Sequence, residues 1–100
     1  MKVTFLEPAE LELDEAIAFY NAQRSGLGDE FLVEVLLALG RIQALPSAWP
    51  LLSNRTRRCR TRRFQYGVVY RTTQDEILVV AIAHLHRRPL YWLERVKSFS

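Results

Sequence analysis

The sequence holds one cysteine, Cys59, among 100 residues, so no disulfide can form within the chain. That favours a reducing compartment. No run of about 18 apolar residues is present, and no segment is expected to span a membrane. The N-terminal stretch MKVTFLEPAELELDEA turns acidic after a single lysine and lacks the apolar centre of a secretory leader, so a cytoplasmic location is the expectation. Internal repeats, low-complexity tracts and Gly/Ser/Pro-rich linkers are all missing. A chain of this length without a linker reads as one domain, residues 1–100. Its 49% hydrophobic content is ordinary for a folded chain and argues against disorder.

Acidic residues are scarce in the second half. Residues 51–100 carry ten arginines and Lys97 against Asp75, Glu76 and Glu94, a net +8. Residues 1–50 carry three basic and eight acidic residues, a net −5. The extreme is RTRRCRTRRF (55–64), where six of ten residues are arginine. Guanidinium groups keep their charge at physiological pH, so this many close together must meet an anion or water. A split of charge between halves points to a polyanionic partner. The alternative is that the halves neutralise each other through weak surface pairs.

Periodicity orders the elements. KVTFL (2–6) reads as a short strand. Pro8 suits the first turn of a helix, where its missing N–H costs nothing. Over residues 9–24 Leu13, Ala16, Ile17 and Tyr20 recur at helical spacing. SGLG (25–28) stops that helix, with Gly26 or Gly28 able to take positive φ, and Asp29 is placed to cap the next. The second helix carries the stripe Phe31, Val35, Ala38, Leu39, Ile42 and Leu45 before Pro46. Leu32, Leu36 and Leu37 lie off it, so this helix is apolar on more than one side and is sandwiched or docked by a partner. After a loop (46–55) the period becomes two. RRCRTRR suits an exposed strand. Around FQYGVVY, Phe64, Tyr66, Val68 and Tyr70 share one face, and Arg63, Gln65, Gly67, Val69 and Arg71 the other. TTQDE (72–76) is a polar turn. ILVVAIA (77–83) is apolar throughout and predicts a central strand covered on both faces. LYWLERV (90–96) suits a final helical turn. The class is α+β: a short N-terminal strand and an antiparallel helical hairpin packed on one face of a small three- to four-stranded antiparallel sheet.

With these pieces in order, PAELELDEAIAFYNAQ, GLGDEFL, the arginines leading into RRFQYGVVY, ILVVAIAHLHRRP and LYWLERV, the chain resembles the RelE/ParE superfamily of toxins from bacterial type II toxin–antitoxin (plasmid-stabilisation) modules. The resemblance covers nearly the whole chain. It implies the hairpin-on-sheet fold, a toxin–antitoxin hetero-oligomer, and an antitoxin whose acidic and apolar C-terminal segment wraps the toxin. RelE-like members cut messenger RNA in the ribosomal A site; ParE-like members inhibit DNA gyrase. The strand position that carries arginine in RelE-like toxins matches Gly67, which has nothing to hold charge. Arg87 or Arg88 matches their second arginine, and Tyr91 lies near their tyrosine. FQY resembles the aromatic–Pro–Tyr stretch of the ParE-like branch, with Gln65 for the proline. The resemblance is therefore nearer ParE: growth arrest by binding gyrase.

The site residues follow from these readings. For a metal-independent endoribonuclease, the alternative, the acid, base and phosphate-holding groups would be His84, His86, Arg87 and Tyr91. The two histidines read equally as strand-end polar residues. For target or nucleic-acid binding the candidates are Arg58, Arg60, Arg62, Arg63, Arg87, Arg88 and Arg95. Alternate arginines on a strand stand about 6.5–7 Å apart, near the phosphate repeat; equally, charges on an edge strand block edge-to-edge association. Antitoxin contact is assigned to Leu32, Leu36, Leu37, Arg60 and Arg62. Tyr91 and Trp92 are candidates for base stacking. Arginine neighbours would lower the Cys59 thiol pKa, a weak hint of reactivity. His-x-His without a third ligand is a poor zinc site, so neither metal nor cofactor is expected. A nucleic-acid-binding module without toxicity is the second alternative.

Overall fold

The computed structural model describes residues 1–99, with side chains described through Lys97. The elements in order are β1 (Lys2–Phe5), α1 (Glu7–Gln23), α2 (Leu27–Ala44), β2 (Arg57–Arg60), β3 (Tyr66–Thr72), β4 (Glu76–His84) and a C-terminal 3-10 helix (Leu93–Phe99). The sheet order is β1-β4-β3-β2. Strands β2, β3 and β4 are antiparallel, as the alternation predicts. β1 instead lies parallel to β4, making the sheet mixed. The apolar β4 needs a neighbour on each edge. A tight turn supplies β3, and the helical hairpin leaves β1 to cover the other edge.

β4 separates two apolar layers. On the helix side, Phe31, Val35, Ala38 and Ile42 of α2 pack on Val68, Tyr70, Val79 and Ile82. On the far side Val69, Val80, Ala81 and Ala83 pack under Trp92 and Val96 of the C-terminal segment. Burial of the ILVVAIA run on both faces is thus found. A bulge between Val69 and Tyr70 shifts the register by one, so Val80 and Ala81 both serve the far layer. Among the described residues no helix is long and apolar enough to cross a membrane.

Several boundaries differ from the sequence reading. Gly26, not Asp29, is the N-cap of α2; its φ of +89° is left-handed, where glycine has no Cβ penalty. The Gly28 N–H is met by Asn21 Oδ1 at 2.7 Å, so no Asp29 cap is needed there. Leu45 closes α2 and is exposed instead of continuing its stripe. β2 ends at Arg60 because Thr61 turns the chain: its N–H donates to Tyr66 O and its hydroxyl to Arg63 O. Phe64 and Gln65 then sit at φ of +76° and +50°, in a turn and not in the strand. Phe64 still delivers its ring to the core, 4.9 Å from Tyr20 and 5.4 Å from Phe31.

All four tyrosines contribute to a pH limit. Burial is the leading cause that raises Tyr20, Tyr66, Tyr70 and Tyr91 above the ordinary 10.0, with Tyr70 pushed up to about 12. Tyr70 also donates its hydroxyl to Pro46 O at 2.6 Å. A raised phenol favours the fold fully below the unfolded pKa, and the contribution is lost as pH rises through the folded one. Tyrosinate absorbance should therefore appear above pH 10 together with loss of circular dichroism. Independent phenol titration near pH 10.0 with the fold intact would contradict this.

Candidate anion-binding groove

Part of the outer edge of the arginine-rich strand is already occupied. The Arg58 N–H donates to Pro50 O (3.1 Å), Arg57 Nη1 to Trp49 O (2.7 Å), and Arg41 Nη2 to Arg60 O (3.1 Å). With the Arg58 N–H and the Arg60 carbonyl already met, β2 presents mainly its side chains to a partner.

Those side chains border two cavities. The first, about 310 Å³, lies on the sheet face opposite the helices, between Arg58, Arg87 and Arg88, over Leu52, Val69 and Ala83. The second, about 540 Å³, is lined by Arg41, Trp49, Arg58, Arg60, Thr61 and Arg62. Arg58 lines both, so the two adjoin at the β2 edge, and among the described residues neither wall holds an Asp or Glu. Among the described residues, Arg58, Arg60, Arg62, Arg87 and Arg88 have no carboxylate within ion-pair distance. Burial, and then the like charge of Arg60, disfavour the charged form of Arg58.

Arg58 reaches this position through Gly67. A Cβ on Gly67 would stand 2.6 Å from Arg58 Cδ and 2.8 Å from its Cγ. The bare glycine is therefore the seat for the Arg58 stem.

The remaining arginine candidates are engaged elsewhere. Arg63 pairs with Glu30 at 3.1 Å, beside an Arg24–Glu30 pair. These contacts hold the Glu30 carboxyl below its ordinary range, with the Arg63 hydrogen bond as the leading cause. Arg95 is half-buried against Glu12, with Nη1–Oε1 at 2.8 Å and Nη2–Oε2 at 2.9 Å. Its guanidinium anchors the C-terminal segment to α1 and is not free for a target.

Glu12 is the residue the sequence reading missed. Besides Arg95 it accepts Tyr91 Oη at 2.6 Å and the Ile82 N–H at 3.1 Å. Arg95 Nη1 also donates to Val80 O at 3.1 Å. β1 pairs with β4 only through Val79, so the ion pair supplies the acceptor and donor that a longer β1 would have given. Nothing local distinguishes Glu12 from the other acids of EPAELELDEA.

His84, His86, Arg87 and Tyr91 come together at the end of β4. The His86 N–H donates to His84 Nδ1 (3.1 Å), and the two rings are 5.1 Å apart. Only His84 belongs to the strand; His86 lies in the following turn. Arg87 stacks on Tyr91, its Cζ 3.9 Å from the ring centre, and Arg95 lies 5.2 Å away. Tyr91 is thus covered by cations and its hydroxyl is held by Glu12. Burial first, then Glu12, push its pKa up, which disfavours the phenolate a base would need. Trp92 is 2% exposed, so it is not a stacking platform. Cys59 is fully buried, and burial raises its thiol against the lowering effect of Arg41 and Arg62, the reverse of the expected activation. Leu32 is half-buried, while Leu36 and Leu37 are 56% and 52% exposed on the outer side of α2. None of the three lines the groove that holds Arg60 and Arg62. Among the described residues no three His, Cys, Asp or Glu side chains gather closely enough to hold a metal ion.

No family model and no curated protein sequence matches the chain. In three dimensions it is similar to a solved structure described as "Chromosomal ParDE TA system from P. aeruginosa", at 14% sequence identity, with TM-score 0.75 over 86% of this chain and 97% of that one. What the two chains share is the α+β fold described above.

Proposed function

We propose that this chain is the toxin of a type II toxin–antitoxin module, nearer the ParE-like branch, which arrests growth by binding DNA gyrase and is silenced in the cytoplasm by a cognate antitoxin in a hetero-oligomer. The observation that carries this reading is a pair of adjoining cavities that share Arg58: among the described residues Arg58, Arg60, Arg62, Arg87 and Arg88 line them without a carboxylate partner, and neither wall holds an acid. Such a surface is built to bind an acidic macromolecule. The fold shared with a ParDE chain supports the same reading. Gly67 carries no cation where the RelE-like nuclease has arginine, and the Tyr91 hydroxyl is tied to Glu12. Both features favour binding over cleavage.

Induced expression in a bacterium, with and without the adjacent open reading frame, tests the proposal. Expected are growth arrest relieved by the neighbour, loss of gyrase supercoiling by purified protein, and intact transcripts. Unchanged supercoiling at arresting concentrations would refute the gyrase target. The contact between His84 and His86, with Arg87 lining the same cavity as His84, favours one second reading, a ribosome-dependent endoribonuclease. That reading requires message cleavage soon after induction and its loss in a His84→Ala, His86→Ala variant. Harmless expression of the lone chain would point instead to a non-toxic nucleic-acid-binding module.

A further inference from the structure

A third cavity, about 240 Å³, lies between α1 and the paired ends of β3 and β4. It is lined by two carboxylates, Glu12 and Glu15. Both Glu12 oxygens are committed to Arg95, Tyr91 and the Ile82 N–H. Glu15 is exposed and has no ion pair among the described residues, so it is the free acceptor. Arg87 supplies the positive charge. One face of its guanidinium is stacked on Tyr91 at 3.9 Å, and its N–H groups, which lie in the guanidinium plane, point out of that stack. His84 accepts the His86 N–H on Nδ1, which leaves its Nε2–H as a second donor. Phe19 is 56% exposed, and its T-shaped contact with Tyr20 covers at most one ring face.

These groups select a ligand by elimination. An ammonium or guanidinium would suit Glu15 and Phe19 but would meet Arg87. A simple anion would suit Arg87 but would meet Glu15. A planar ring with donors on one edge and acceptors on the next suits all of them. Among the four bases only guanine carries N1–H and N2–H side by side, the pair that a carboxylate accepts, next to O6 and N7, the pair that arginine reads. The volume lies below the usual range of about 300–1,000 Å³ for small-molecule sites, and suits a base without its sugar. We infer that this cavity is a guanine-base site: Glu15 accepts N1–H and N2–H, Arg87 and His84 Nε2 donate to O6 and N7, and Phe19 stacks on the ring. Glu15 and Phe19 lie outside both arginine-lined cavities, so the inference does not rest on the proposed gyrase binding.

The test is an NMR titration of the purified chain with nucleosides, which carry no phosphate for the arginines to attract. Guanosine should shift the amides around Glu15, Phe19 and His84. Inosine, which lacks the N2 donors, should bind about tenfold more weakly, and adenosine more weakly still. Glu15→Gln should weaken guanosine about tenfold and leave adenosine unchanged, whereas Phe19→Leu should weaken both by about tenfold. Both side chains are exposed, so both variants are expected to fold, which circular dichroism checks. Glu10→Gln, an exposed acid of α1 outside the cavity, should change nothing. GMP and a single-stranded ribotrinucleotide with a central guanosine then separate the sources of the base. A gain of more than about tenfold for the trinucleotide over GMP assigns it to an RNA strand, equal affinity assigns it to a free nucleotide, and either result keeps the guanine site. Adenosine binding as tightly as guanosine, or an unchanged Glu15→Gln, would overturn the inference. So would agmatine, a guanidinium probe, binding more tightly than guanosine, since the cavity would then be a cation site. Nucleoside binding is read without growth arrest, so a harmless chain that binds guanosine would sink the toxin reading alone, and a toxic chain that ignores it would sink the guanine site alone.

Discussion

Glu12→Ala is expected to lower the unfolding free energy by about 3–5 kcal/mol, the range for removing one partner of a buried ion pair. The side chains of Glu12 and Arg95 are 15% and 20% exposed, so water screens the pair only slightly. Alanine would leave the Arg95 guanidinium, the Tyr91 hydroxyl and the Ile82 N–H without their shared acceptor. Each orphaned buried group carries its own desolvation penalty, which is why the loss exceeds that of one surface pair. For a domain of this size, each kcal/mol corresponds to about 4–8 °C in Tm, so a drop of more than about 12 °C should be seen in a thermal melt. The damage should centre on the C-terminal segment, because Arg95 and Tyr91 fasten it to α1. Hydrogen exchange at Ile82 and across residues 91–96 would report that. A double replacement, Glu12→Leu with Arg95→Met, should recover part of the loss, since no charge is then left buried. A single-variant loss below about 1 kcal/mol would mean that Arg95 finds water and that the network is not structural.

Gly28→Ala is expected to destabilise by about 3 kcal/mol, at the upper end of the overpacking range. A Cβ there would stand 2.2 Å from Ile17 O and 2.7 Å from Asn21 Cγ. Ile17 O belongs to the backbone of α1 and cannot move alone, so the hairpin must spread. Spreading also stretches the 2.7 Å hydrogen bond from the Gly28 N–H to Asn21 Oδ1. The neighbouring glycine is a control with a different cause. Gly26 has nothing within 4 Å, and its φ of +89° makes Gly26→Ala a matter of backbone strain, about 1 kcal/mol. Urea melts of the two variants should rank them in that order. Equal losses would show that the hairpin opens cheaply and that the close approach at Gly28 carries no special cost.

The arginines divide by reach. Arg58, Arg60 and Arg62 stand close together in sequence, whereas Arg87 and Arg88 reach the same cavity as Arg58 only through the fold. Arg63 and Arg95 belong to the same basic half, yet they are taken by Glu30 and Glu12, acids 33 and 83 residues away. No composition or periodicity argument reaches that far, because an ion pair depends on where two helical or strand faces meet. Tyr91 shows the same division. Its place beside an arginine is legible in the sequence, but its hydroxyl is withdrawn from chemistry by Glu12, 79 residues away. Gly67 reads as an absence of charge in the strand; its neighbour across the sheet turns that absence into a seat for Arg58.

Alternation and helical spacing depend only on backbone geometry, which every residue carries with it. For that reason the two helices, the two faces of β3, the doubly covered β4 and the α+β class follow from the order of residues alone. Parallel entry of β1 beside β4, the bulge at Val69/Tyr70, the Glu12 clamp and the Arg58 seat arise from contacts between distant segments. Those contacts exist only once the chain has closed on itself, since packing distance, and not sequence distance, sets which groups can meet.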